Sequence, residues 1–116
     1  MKWIRLELND VEIKQNTKII GVITINYPDK YDGVIINTQI FDSNEFVEFL
    51  TCNNKSIVQK KSSRIFINYK TISDNTIKFV AMIKFKPNKI HDVKFRVCII
   101  EQNKEITEDV TWAKFI

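Results

Sequence analysis

Two late runs of strict alternation constrain this chain more than any other feature. Ile77, Phe79, Ala81, Ile83 and Phe85 alternate with Lys78, Val80, Met82, Lys84 and Lys86. After the stretch Pro87 to Asp92, Val93, Phe95, Val97 and Ile99 alternate with Lys94, Arg96, Cys98 and Ile100. Successive side chains of a strand point to opposite faces, so each run has one apolar face to bury and one mixed face. The same period recurs upstream. Ile4, Leu6 and Leu8 share a face, as do Ile19, Ile23 and Ile25, and Val34, Ile36 and Ile40 share theirs with Thr38. Phe46 to Cys52 reads as a strand, Ile65, Ile67 and Tyr69 alternate with Phe66, Asn68 and Lys70, and Val110 to Phe115 adds a final edge strand. No window holds helical periodicity for longer than two turns.

The breaks between runs are polar: Tyr27-Pro28-Asp29-Lys30, Asp42-Ser43-Asn44 and Asn53-Asn54-Lys55. With only two glycines and two prolines in 116 residues, the turns must rest on Asn, Asp and Ser. About seven to nine short strands joined by such turns predict one all-β domain over residues 1–116, an antiparallel two-sheet β-sandwich, with a small barrel as the alternative. A chain of this length, 44% apolar, sustains a core without disulfide or metal. The short loop between the two late runs predicts that they pair as a hairpin, Phe85 facing Val93.

Three stretches together resemble the amino-terminal lobe of the arrestin fold. The first is Asn16-Thr17-Lys18-Ile19-Ile20-Gly21-Val22-Ile23-Thr24-Ile25, in which Gly21 stands at the second Gly of the family pattern Gly-x-x-Val-x-Gly-x-Val and Asn16 replaces the first. The second is Tyr31 to Ile40, and the third is Phe79 to Phe85 with Pro87, followed by Val93 to Ile100. The resemblance spans roughly residues 11–102 and one lobe only, so the polar core and tail exchange of two-lobed arrestins do not carry over. An immunoglobulin-like sandwich is the neighbouring expectation, although no Trp lies between Cys52 and Cys98. The resemblance implies a non-catalytic protein-interaction module or scaffold that recognises other proteins through sheet edges and loops.

Nothing in the composition points to bond chemistry. The single histidine, His91, falls in the loop before Val93 and reads as a solvated residue without a nucleophile to serve. Two cysteines and one histidine fall short of a four-ligand zinc site, and two glycines allow no phosphate-binding loop. The expectation is therefore no enzyme and no cofactor.

Binding surfaces are the better candidates. On the expected hairpin, Val80, Met82, Cys98 and Ile100 form an apolar centre, and Lys84, Lys86, Lys94 and Arg96 form a basic end, a partner-site pattern. Trp112 on the final edge strand is a candidate anchor, and the terminal strands Trp3 to Leu8 and Val110 to Phe115 offer edges for a second copy. Lys60, Lys61 and Arg64 make a basic loop. With the net charge of +4 this keeps single-stranded nucleic acid as the alternative partner, stacking on Phe66, Tyr69 or Phe95. Core packing is the simpler expectation for those three rings. No apolar stretch approaches the roughly 20 residues that span a bilayer. Met1-Lys2-Trp3-Ile4-Arg5 lacks the apolar run of a signal peptide, so a cytoplasmic protein with reduced thiols is expected.

Overall fold

The computed structural model describes residues 2–57 and 62–116. Ten strands run in chain order: β1 (Ile4–Leu8), β2 (Glu12–Ile13), β3 (Ile19–Ile25), β4 (Gly33–Ile40), β5 (Glu48–Cys52), β6 (Lys55–Ser56), β7 (Arg64–Asn68), β8 (Thr76–Met82), β9 (His91–Glu101) and β10 (Lys104–Phe115). They form two five-stranded sheets, ordered β1-β3-β8-β5-β6 and β2-β10-β9-β4-β7. The chain is thus an all-β two-sheet sandwich and not a closed barrel. Among the described residues every pairing is antiparallel except that of β2 with β10.

The expected inward faces are the buried ones. Ile77, Phe79, Ala81 and Ile83 from the first sheet meet Val93, Phe95, Val97 and Ile99 from the second. Phe79 stands at the centre: its ring is 5.7 Å from Phe49 within its own sheet and 6.4 Å from Phe95 across the core. Its cross-strand partner is Gly21, and the Phe79 ring lies on that glycine so closely that a Cβ there would meet it at 2.2 Å.

The expected hairpin does not form. β8 pairs with β3 and β5, whereas β9 pairs with β4 and β10 in the other sheet. Both strands bury a Phe-bearing face, and facing each other across the core lets those faces cover one another. The link from Ile83 to Ile90 is long enough to cross the roughly 10 Å between stacked sheets. The hairpin partner of β9 is instead β10, which begins well before Val110.

The turns carry out the composition's requirement. Asn53-Asn54 joins β5 to β6 and Gln102-Asn103 joins β9 to β10, and all four residues have positive φ, as the I′ turns favoured by hairpins demand. Asp74 and Asn75 do the same before β8. Asp32 anchors the β9–β10 turn by accepting the Gln102 N–H at 2.7 Å.

His91 is no loop residue. It opens β9 at 4% exposure, its Nδ1–H donates to the Phe41 carbonyl at 2.7 Å, and its ring packs between Phe85 and Phe115. A buried aromatic with one polar edge suits a position that needs both a ring and a hydrogen bond.

The edge strands expected at the two termini are closed against each other. Asp109, on β10, accepts the outward N–H of Leu6 at 2.8 Å, and Thr111 donates to the Leu6 carbonyl at 3.2 Å. β2 covers the far end of β10 by pairing at Lys114 and Phe115, so Val110 to Phe115 is not an edge strand there. Burial alone would raise the Asp109 pKa. Hydrogen bonds from Lys2 and from the Leu6 N–H outweigh burial and hold it below the ordinary carboxylate range. Asp109→Ala therefore costs about 2 kcal/mol in urea denaturation at neutral pH, because a buried amide loses a charged acceptor. A carboxylate with a depressed folded pKa stabilises above its unfolded pKa. The gap between wild type and variant is thus full above about pH 5 and closes as the pH falls below that.

Candidate functional site

With the hairpin gone, the residues expected to form one surface divide between opposite sides of the molecule. Val80, Met82 and Lys84 belong to the first sheet's outer side, where Lys84 reaches Glu48 at 3.7 Å. Lys94, Arg96, Cys98, Ile100 and Trp112 share the outer face of the second sheet, on adjacent strands β9 and β10. Trp112 stands opposite Lys94, Val110 opposite Arg96, Glu108 opposite Cys98 and Glu105 opposite Ile100.

That face has two halves of different character. In one, Cys98 and Ile100 are buried with Ile35 in a small outer cluster. Arg96 stands beside them, held by Glu105 through two hydrogen bonds and by Glu108 through another. Its charge is spent locally, and the same contacts raise its pKa and lower that of Glu105. Burial pushes the Cys98 thiol up to about 11, so it is a packing residue and not a nucleophile. In this half of the face Arg96 is thus paired and Ile100 is buried.

The other half is open. Trp112 is 50% exposed, 5.4 Å from the Phe41 ring on one side and with the Lys94 ammonium 5.9 Å from its centroid. A hollow of 540 Å³ borders it, lined by Val11, Glu12, Asp92, Trp112, Ala113 and Lys114. Lys114 and Asp92, both in its lining, form an ion pair at 2.8 Å. The indole is thus held in place by an aromatic ring and a cation while keeping a free surface. Phe41 and Val11 were not legible as part of a site: Phe41 lies at a turn, and Val11 is placed by the parallel pairing of β2.

Of the basic loop, Lys60 and Lys61 lie outside the described residues, and Arg64 is exposed at the start of β7. Phe95 is fully buried, but Phe66 and Tyr69 are not core residues, being 50% and 52% exposed. Phe66 lies against Gly33, where a Cβ would meet its ring at 2.6 Å, and Tyr69 packs edge-on against Tyr31 at 5.0 Å. Among the described residues no three of His, Cys, Asp and Glu converge to hold a metal ion, and no helix is long and apolar enough to cross a membrane.

No protein-family model matches the chain, and no curated protein matches it in sequence. Solved structures share its fold. A variant of the CFA/I adhesin CfaE from enterotoxigenic E. coli superposes with a TM-score of 0.62 at 10% identity, covering 97% of this chain and 48% of that one. The chain thus spans about half the length of that adhesin. A conjugative transposon lipoprotein from Bacteroides eggerthii gives a TM-score of 0.56 at 9% identity over 97% of this chain and 96% of that one. The Salmonella SafD adhesin gives 0.54 at 10% identity over 99% and 98%. At such identities the likeness is one of fold: a β-sandwich of a type found in adhesins and a lipoprotein.

Proposed function

We propose that this chain is a non-catalytic protein-interaction module whose partner docks on the Trp112 half of the second sheet's outer face. One observation carries the reading: a half-exposed tryptophan, immobilised between Phe41 and Lys94, beside an apolar hollow. A pre-positioned Trp loses little entropy on binding and contributes large contact area, which is why Trp dominates interface energetics. Lys94, Lys114 and Asp92 form the polar rim such a surface needs. The reading includes residence in the cytoplasm, supported by two free thiols that stand in different sheets.

Affinity capture from source-cell lysate, with nuclease present, tests it. The wild type and Met82→Glu, a change on the opposite side of the sandwich, retain a stoichiometric protein partner. Trp112→Ala retains about 30-fold less, the loss expected for a hot-spot tryptophan. Capture that disappears with nuclease contradicts the reading and favours nucleic acid.

A further inference from the structure

The two sides of the sandwich are unequal. β1 and β10 are laced together on one side, but on the other β6 and β7 flank an open groove of 830 Å³. Its walls are the β5–β6 turn (Cys52 to Lys55) and the end of β7 (Phe66 to Asn68), with Asp74, Thr76 and Lys78 at its floor and rim. The β7 edge carries backbone groups that no other described residue bonds. Tyr69 N–H bonds the Asp32 carbonyl and Thr38 N–H bonds the Ser63 carbonyl, which fixes the alternation of the β4–β7 ladder. Odd-numbered residues of β7 face β4, so the peptides of Arg64, Phe66 and Asn68 point away from it. Ser62 Oγ satisfies both the N–H and the carbonyl of Arg64, and Thr71 Oγ1 satisfies the carbonyl of Asn68. Among the described residues nothing bonds the Phe66 N–H, the Phe66 C=O or the Asn68 N–H, and these three groups are in register for one added strand.

The charge around this edge says which strand. Lys55 and Lys78 line the groove and Arg64 stands two residues along the edge from Phe66. Among the described residues none of the three has a carboxylate within 4.0 Å, whereas Arg96, Lys84 and Lys114 are all paired. Asp74 is the single carboxylate of the lining. Two copies of this edge would bring like charges together, so the edge is set against self-pairing. An acidic strand meets no such barrier.

We propose that the groove between β6 and β7 binds an extended, acidic segment of another protein as an added strand on β7. The segment hydrogen-bonds the Phe66 and Asn68 peptides and sets its carboxylates against Lys55, Arg64 and Lys78. This site is separate from the Trp112 face and stands without it. The test uses the full chain and a set of capped nine-residue peptides that alternate valine or threonine with glutamate, with lysine-for-glutamate versions as controls. Backbone amide exchange is followed by NMR. At saturating acidic peptide the Phe66 and Asn68 amides exchange about tenfold more slowly, while Leu6, already bonded to Asp109, is unchanged. Lys55→Glu with Lys78→Glu weakens binding about tenfold, and Trp112→Ala leaves it intact. No protection at Phe66 with any acidic peptide overturns the proposal, as does equal protection by the lysine controls. Loss of binding in Trp112→Ala would show that the peptide sits on the other face, and would overturn it too.

Discussion

Phe79→Ala lowers the unfolding free energy by about 4 kcal/mol, the cost of removing a fully buried aromatic from a core that cannot collapse around the gap. Phe79 has no exposed surface, and its ring joins Phe49 in its own sheet to Phe95 in the opposite one. The ring is held between two backbones that hydrogen-bonded ladders keep apart, so the cavity persists. Urea denaturation followed by tryptophan fluorescence checks the value, with an unchanged m-value showing that the denatured state is not the source. A loss of less than about 1 kcal/mol, the size of an ordinary surface change, would mean that Phe79 is not the junction of the two sheets.

Gly21→Ala is expected to cost about 3 kcal/mol, at the upper end of overpacking effects. Gly21 lies directly across from Phe79 on β3, and the added methyl would fall 2.2 Å from the ring. The ring cannot swing aside, because Phe49 and Phe95 occupy the space on either side. The cause is a specific clash, which makes it separable from strand propensity. In a Phe79→Leu background the same Gly21→Ala change costs less than half as much, a coupling of about 1–2 kcal/mol in a double-mutant cycle. Strict additivity would place the cost of the alanine elsewhere.

The inward faces were legible because alternation reports burial directly. Ile77, Phe79 and Ala81, like Val93, Phe95 and Val97, lie where period two puts them. Pairing was not legible, because alternation specifies which face is buried but not what covers it. β8 and β9 satisfy the same pattern across the core as they would side by side. The first half of β10 lacks a strand's alternation, because Lys104 to Asp109 is charged and carries a bulge between Glu105 and Thr107, and Gln102-Asn103 makes its turn without glycine. The site was half visible. Trp112 and Lys94 were named from the sequence, yet their proximity depends on the β9–β10 register, and Phe41 joins them only through the end of β4. Arg96 pairs with Glu105 and Glu108, and Ile100 packs with Ile35; those three residues come from strands whose neighbours the pattern does not reveal.

The open edge is likewise a matter of topology. Both terminal segments have the composition of edge strands, and it is Asp109 and Thr111 that close them. Among the described residues β7 also ends its sheet, and its composition carries little mark of that beyond the exposed Phe66.

The central claim is that a protein partner rests on the Trp112 side of the sandwich. Site-specific photo-crosslinking in source cells measures it most directly, with a benzophenone amino acid placed at position 11, beside the Trp112 hollow, and in a separate variant at position 82 on the opposite sheet. The account predicts one discrete, nuclease-resistant protein adduct from position 11, lost when Trp112→Ala is added, and none from position 82. An adduct from position 82 alone, or adducts from position 11 that nuclease removes, would contradict it.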